Sequence, residues 1–579
     1  MLSNKLSKSK MFKPVGEIDR LDVYKVSQLV TPVDIFLNGN EGNKNLPEDI
    51  NSRISELLGD AELIRKYPDS AALEKLIAEW HNVLPAQVLV TAGGDEALDR
   101  ICRLALEPGR TVIMPAPTFG MLDHFARLAG GSVRTFDWLR NSFPTEAVID
   151  LIDSNTSLII IVSPNNPTGA IATAQEIQRI AETAPSALVL VDLAYVEFAD
   201  DDPTGALLSI ENCAVVRTFS KAWGLAGLRV GYVLGSSKII AWLRKTGSPF
   251  SVSSVSLALT AAAINSERVM TTYVREIKEN RIFLIDALSK LGAQPLDSQG
   301  NFVLARFKDS KLVYQGLVGM GIIVRSYFSD PLLSDYLRIT VPPADQLKRL
   351  LFALQTVLEP QLILFDMDGV IADVSQSYRQ AIIQTAGTFG VSITADEINQ
   401  YKQQGNCNND WQLTEQIMKN HGSDVSFEKI KERFEVIYQG NNETPGLWEN
   451  ETLLISPDIL QQLADKINLG IVTGRPRRDA RRFLSKYKLS DIFETVVCLE
   501  DACQKPSPQP LTLAMKNVGA KRAWMIGDTP DDIRAARAAA VLPLGIIAPG
   551  EDESSGRCLL ESGAGQILKS LNQLTELIS

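Results

Sequence analysis

The sequence predicts an α/β protein made of two successive domains. The chain has 579 residues, more than one ordinary hydrophobic core accommodates. Short apolar runs alternate with longer helical patterns almost throughout, as in sheets covered by helices. That alternation restarts once. An amphipathic stretch at 344–358 (ADQLKRLLFALQTVL) meets Glu359, Pro360 and Gln361, and a new strand, LILFD, opens at 362.

The expected division follows from this restart. Residues 1–14 form a leader without fixed structure, 15–358 a first domain, 359–361 a linker, and 362–579 a second domain. In the first domain QVLVT (87–91), RTVIM (110–114), LIIIVS (158–163), ALVLVD (187–192) and AVVRT (214–218) read as strands. Their near-continuous hydrophobicity suits a parallel sheet buried on both faces. Helical patterns lie between them, at 95–106 and 173–183. In the second domain a polar, Asn-rich helical insert, 376–454, interrupts a core of 362–375 and 455–579.

Composition narrows the chemistry. Hydrophobic residues make up 45%, charged residues 22%, and the net charge is -11, as in an ordinary globular protein. The acidic net charge argues against nucleic acid as a partner. No apolar run approaches the roughly 18 residues of a membrane span, and the basic start (MLSNKLSKSKMFK) has no apolar stretch behind it, unlike a secretory signal. The 6 cysteines include no C-x-x-C pair and read as free thiols of a reducing cytoplasm. The 3 histidines, His81, His124 and His421, are not at ligand spacing, against a zinc site or a Ser-His-Asp triad. The expectation is a cytoplasmic enzyme that uses Lys, Asp, Tyr, Arg and a cofactor on small molecules.

The first candidate site centres on RTFSKAWGLAGLRVGY (217–232). Lys221 follows a strand, at the carboxyl end where α/β folds place ligands, and a lysine there could form a Schiff base. Thr218, Ser220 and Arg229 supply hydroxyls and a guanidinium suited to a phosphate. TAGGDEAL (91–98) ends a strand and opens a helix, so backbone N–H groups near Gly94 and Asp95 could hold an anion. PAPTFGM (115–121) contributes Phe119, SPNNPTG (163–169) Asn166, and VDLAY (191–195) Asp192 and Tyr195. Each segment alone has a bland reading, such as a solvated lysine, a core ring, a Pro/Asn turn or a capping Asp.

Taken together and in this order, these segments resemble the aspartate-aminotransferase-like, fold-type I family, and more closely its histidinol-phosphate aminotransferase branch. The resemblance covers roughly 15–358. It implies a large mixed-sheet domain (about 37–264) and a small α/β domain (15–36 with about 265–358). It also implies that Lys221 carries pyridoxal phosphate (PLP) and moves a proton between the substrate's Cα and the cofactor's C4′. Phe119 would stack on the pyridine ring, Asn166 and Tyr195 would hydrogen-bond the phenolic oxygen, and Asp192 would keep the ring nitrogen protonated. Gly94, Asp95, Thr218, Ser220 and Arg229 would hold the phosphate. Asn40 in LNGNEG (37–42), Arg325 in VRSY (324–327) and Arg338 in LRIT (337–340) match substrate-binding positions. Tyr67 in RKYPD (65–69) matches a tyrosine that reaches the neighbouring subunit's cofactor, which implies a homodimer. Gly42 and Asn43 depart from the family's Asn-Pro after Asn40 and Glu41, and VPP (341–343) departs from its Val-Gly.

The second candidate site starts from FDMDGVIAD (365–373), where Asp366 and Asp368 follow a strand two residues apart. Three later pieces join it: Thr473 in IVTGR (471–475), Lys505 in QKPSP (504–508), and Asp528 and Asp532 in MIGDTPDDI (525–533). Their order and spacing resemble the four motifs of the haloacid-dehalogenase superfamily, subfamily I, over 361–579. The resemblance implies a Rossmann-like core with a helical cap at 376–454, and a Mg²⁺-dependent phosphatase. Asp366 would attack phosphorus and Asp368 would protonate the leaving oxygen. Thr473 and Lys505 would bind phosphoryl oxygens. Asp366, the Asp368 carbonyl and Asp528 would hold Mg²⁺, with Asp532 ordering that shell. An acid at Asp368 favours a phosphatase or phosphomutase over a dehalogenase. In the insert, GNCNNDW (405–411) offers amides and Trp411 for reading a substrate, or a plain polar loop.

The reading that follows is a bifunctional enzyme, which makes histidinol phosphate from imidazole acetol phosphate and glutamate, and then dephosphorylates it. One rival keeps both activities but changes the substrate, to aromatic amino acids or an amino-phosphate. A second rival makes one half a non-catalytic regulatory module.

Overall fold

The computed structural model describes residues 18, 21, 29–42, 52–54, 56–57, 59–139, 142–405 and 409–578. The expected leader, 1–14, lies outside them, as do Asn43 and residues 406–408 with Cys407. Two compact units are present. One comprises Leu37–Arg306 and Ser329–Leu347; the other comprises 29–36, Phe307–Phe328 and Lys348–Ser579.

A seven-stranded sheet organises the first unit. Its spatial order is Val88–Thr91, Gly231–Gly235, Cys213–Thr218, Leu188–Asp192, Thr156–Val162, Thr111–Ala116 and Ser132–Asp137. Every neighbouring pair is parallel except those made by Gly231–Gly235, which runs antiparallel to both of its neighbours. The central strands are buried along their whole length, which is why they read as unbroken Ile/Leu/Val runs. One face packs on helix Gly93–Ala105, whose Leu98, Ile101 and Cys102 join Val112, Met114, Ile160 and Val216 in a single core. Because the middle strands are parallel, Ala116, Val162, Asp192 and Thr218 end at the same edge, and the loops that follow carry the predicted residues together. A separate antiparallel set pairs Phe302–Arg306 with Tyr336–Thr340 and with Gln294–Pro295. The register Leu304↔Arg338 fixes where Arg338 sits.

The second unit holds a six-stranded, all-parallel sheet in the order Thr495–Val497, Asn468–Val472, Leu362–Phe365, Ala523–Gly527, Leu542–Ile546 and Gln566–Leu568. Phe365 is in register with Ile471 on one side and Ile526 on the other, so Asp366, Thr473 and Asp528 leave neighbouring strands side by side. The insert folds as helices Tyr378–Thr388, Ala395–Gln404, Asp410–Asn420 and Phe427–Gln439. The chain enters and leaves it through two short strands, Ala372–Asp373 and Thr452–Leu453, paired antiparallel.

Compactness divides the chain differently from the sequence reading, since 307–328 and 348–358 fall in the second unit. The packing gives the reason. Helix Ser310–Gly319 lies against Leu542–Ile546 and Gln566–Leu568. A Cβ placed on Gly319 would stand 2.8 Å from the Gly565 Cα, so two backbones touch there. Trp524, fully buried, donates its indole N–H to the Thr356 carbonyl at 2.7 Å.

Candidate active sites

At the carboxyl edge of the seven-stranded sheet lies a cavity of about 470 Å³, lined by Gly94, Asp95, Phe119, Asn166, Asp192, Tyr195, Thr218, Ser220, Lys221 and Arg229. Each of these residues was expected there from sequence, and the ends of five strands deliver them. Lys221 Nζ donates to the Gly39 carbonyl at 3.0 Å and lies 5.7 Å from the Tyr195 ring centre. The hydroxyls of Thr218 and Ser220 are 3.0 Å apart, and Arg229 reaches Ser220 Oγ at 3.5 Å and Asp95 at 3.1 Å. Arg229 stands in the left-handed region with φ 53, a costly conformation for a non-glycine residue that brings its guanidinium to this corner.

Asp192 is 5% exposed and accepts the Ala194 backbone N–H at 3.0 Å. Burial pushes its carboxyl up to about 6, with Asp95 adding to the shift and Lys221 opposing it. Such an acid is ready for a cationic partner. Asn40 is buried and donates from its side chain to the Tyr195 hydroxyl at 3.2 Å. Arg338 donates to Asn166 Oδ1 at 2.5 Å and to the Asn38 carbonyl at 2.6 Å. Glu41, aligned with the family's motif but given no role from sequence, also lines the cavity. The departure at Gly42 has a steric reason: a Cβ there would stand 2.8 Å from the Gly224 Cα, beside Lys221. Tyr67 is outside the cavity of its own chain; it is 83% exposed and stacks on Phe250 at 4.9 Å. Arg325 lies in the other unit, 6.0 Å from the Tyr327 ring centre.

In the second unit Asp366, Asp528 and Asp532 each offer a carboxylate oxygen within 4.8 Å of the others. All three are buried, and Asp528 Oδ1 has no hydrogen-bond partner among the described residues. Lys505 Nζ bonds Asp366 at 2.7 Å and also meets Asp532. Burial, with Asp532 and Asp368 close by, pushes Asp366 up to about 7 against the pull of Lys505. Burial, then Asp532 and Asp366, pushes Asp528 well above the carboxylate range. Burial alone would depress Lys505, but Asp366 and Asp532 outweigh it and hold the amine protonated. Three crowded acids with an unused oxygen form a donor set that a hard divalent cation fits. Thr473 is buried, and its Oγ1 accepts the Arg475 backbone N–H at 3.2 Å.

Asp368 turns from that group toward Arg475, whose Nε bonds it at 2.5 Å. Arg475 also donates to Glu451 at 2.8 Å, and Glu451 accepts the Tyr438 hydroxyl at 2.9 Å. Sequence reasoning assigned neither Arg475 nor Glu451 a role. Arg475 stands in the IVTGR motif, which was a signal, but its partner is far along the chain.

Residues 36–354 match the family of class I and II aminotransferases. The chain belongs to that family. Residues 363–546 match the haloacid dehalogenase-like hydrolases, so the C-terminal part is a domain of that kind fused to the aminotransferase. The chain is 34% identical over 347 residues to the histidinol-phosphate aminotransferase of Ruminiclostridium cellulolyticum, covering 57% of this chain and 94% of that protein. It is 43% identical over 222 residues to a Phytophthora nicotianae protein named imidazoleglycerol-phosphate dehydratase, covering 37% of this chain and about half (48%) of that protein. Among solved structures, the histidinol-phosphate aminotransferase of Sinorhizobium meliloti in complex with pyridoxal-5'-phosphate superposes with a TM-score of 0.52 at 25% identity, over 56% of this chain and 91% of that one. No helix among the described residues is long and apolar enough to cross a membrane.

Proposed function

We infer that the chain is a bifunctional enzyme of histidine formation. The aminotransferase half would convert imidazole acetol phosphate and glutamate to histidinol phosphate, with PLP as cofactor. The hydrolase half would release phosphate from histidinol phosphate with Mg²⁺. The observation that carries the first half is Lys221 sharing one cavity with Asn166, Asp192, Tyr195 and the Thr218–Ser220–Arg229 cluster. The named relatives support the substrate, and the fused hydrolase domain supports consumption of the product.

The cavity's residues fit PLP. Thr218, Ser220, Arg229 and the helix start at Gly94 and Asp95 would hold its phosphate; Phe119 would cover the ring. PLP, when bound, supplies an electron-withdrawing ring that stabilises negative charge at the substrate's α-carbon. Lys221 would hold the cofactor through its amine and would move the proton at the substrate's Cα. Asp192 would keep a proton on the ring nitrogen, since a buried acid pushed up to about 6 gains most from a cation at its side. Asn166 and Tyr195 would hydrogen-bond the phenolic oxygen. Arg338, already aimed at Asn166, would exchange part of that contact for the substrate's anionic end. Tyr67 and Phe250, exposed and stacked, would face a second copy of the chain.

In the hydrolase half Asp366 attacks phosphorus as the ester oxygen leaves, and Asp368 gives that oxygen a proton. Asp368 then takes a proton from the water that cleaves the aspartyl phosphate. Lys505 and Thr473 bind phosphoryl oxygens and offset their charge. Asp366, Asp528 and the Asp368 carbonyl would hold Mg²⁺, with Asp532 ordering that shell; the ion would draw charge from the transferring group.

The test is incubation of the purified chain with glutamate, imidazole acetol phosphate and Mg²⁺. Histidinol phosphate should appear first, then histidinol and phosphate in equal amounts. Turnover of aromatic 2-oxo acids instead of imidazole acetol phosphate would reject the substrate assignment.

A further inference from the structure

Beside Asp368, away from the Asp366–Asp528–Asp532 group, the second unit has another recess. It is lined by Asp368, Tyr378, Asn409, Asp410, Trp411 and Arg475, among others. Four of its polar atoms are buried without a hydrogen-bond partner among the described residues: Tyr378 Oη, Asp410 Oδ1, Trp411 Nε1 and Arg475 Nη2. The side chain of Arg475 is only 1% exposed and that of Asp410 12%. Buried polar atoms are almost always paired, and leaving several of them idle around one recess is costly unless a ligand completes them.

The charges say what kind of ligand. Arg475 is committed, through Nε to Asp368 and through Nη1 to Glu451. Asp368 is therefore answered by a cation. Asp410 is not answered to the same degree. Its nearest cation, Lys402, stands 3.6 Å from Oδ1, beyond hydrogen-bond reach. Asp410 opens helix Asp410–Asn420, where the Asn409 side chain accepts the Trp411 and Gln412 N–H groups. The cap is thus occupied by Asn409, and the Asp410 carboxylate is left with the 3.6 Å ion pair to Lys402. Burial, ahead of all other causes, disfavours its charge, and Lys402 and Arg379 offset that only in part; a closer donor with positive charge would offset more of it.

We propose that Asp410 is the leaving-group receptor of the hydrolase half, and that it takes an ammonium on the carbon next to the ester carbon. The preferred substrates are then phosphomonoesters of amino alcohols, with Arg475 Nη2 and Trp411 Nε1 serving an acceptor on the same leaving group. This rests on the phosphatase reading above. It deepens that reading, since transamination places an amine at that position in its product.

The test uses the full chain with Mg²⁺ and three phosphate esters: O-phosphoethanolamine, its uncharged analogue propyl phosphate, and p-nitrophenyl phosphate. The readout is the ratio of kcat/KM for phosphoethanolamine to that for propyl phosphate, from which the folded fraction cancels. Wild type should favour the amine by about ten- to hundredfold, the size expected of a charge-assisted hydrogen bond. Asp410→Asn should bring the ratio close to one, and Asp410→Glu, which keeps the charge, should retain a preference. An unchanged ratio in Asp410→Asn, or a wild type indifferent to the amine, would overturn the proposal. Hydrolysis of p-nitrophenyl phosphate separates the two failures: with it, only the receptor falls; without it, the phosphatase reading falls as well.

Discussion

Arg475 is enclosed on every side. Its Nε reaches Asp368, its Nη1 reaches Glu451, and the rings of Tyr378 and Phe483 stand 5.1 and 5.4 Å from its guanidinium carbon. Glu451, 2% exposed, would be stranded without it, and stranding a buried charge costs about 3–5 kcal/mol. Arg475→Met should therefore lower the stability of the hydrolase half by about that amount, read as a fall in its urea midpoint; a change below about 1 kcal/mol would mean the pair is not a structural bond. In the other half, borohydride reduction followed by peptide mass mapping should place a pyridoxyl group on Lys221. Lys221→Ala should abolish the adduct, and an adduct that survives the change would show that another lysine serves.

Helix Ala71–His81 shows two opposing effects at the scale of an element. The carboxyl end of a helix favours a protonated histidine by about 0.3–1 kcal/mol. His81 nevertheless stays neutral to about pH 4, because burial and then the charge of Arg217 disfavour its protonation. Its Nε2 lies 2.9 Å from the Tyr232 hydroxyl. The unfolded chain binds this proton near pH 6.5 and the folded one near 4, so the unfolded state holds more protons between those values. Stability from this group is full above about 6.5 and is lost as the pH falls toward 4. Going from pH 7 to 5, wild type should lose up to about 2 kcal/mol that His81→Phe does not lose; equal losses in both proteins, measured by urea unfolding, would refute the assignment.

The same scale shows what the sequence could and could not reveal. Thr156–Val162, Leu188–Asp192 and Cys213–Thr218 match the expected runs to within two residues, because strands buried on both faces leave no polar alternation to misread. Gly231–Gly235 went unread as a strand since two glycines bound its apolar centre, and its antiparallel direction depends on pairings that no local pattern encodes. Motif residues such as Lys221 and Asp366 were legible because they follow strand ends in a fixed order. The Arg475–Glu451 pair was not, because periodicity reports burial and not the partner.

At the scale of the whole molecule, the second unit reaches back beyond its own motifs. It includes 307–328 and 348–358, fastened by Trp524 to Thr356 and by the Gly319–Gly565 contact. A fragment beginning at residue 362 should therefore unfold at lower urea than the hydrolase half of the full chain, and Gly565→Val should destabilise the full chain by about 1–3 kcal/mol through overpacking. Equal midpoints for fragment and full chain would show that these contacts add no stability.

The central claim is that one polypeptide carries two chemically independent centres, an amine at Lys221 and a carboxylate at Asp366. Asp366→Asn in the full chain tests it most directly, with both activities assayed on the same preparation. Mg²⁺-dependent phosphate release should vanish while histidinol phosphate continues to form from imidazole acetol phosphate and glutamate, within about twofold of wild type as expected for uncoupled sites. Phosphate release that persists, or transamination that fails with it, would contradict the account.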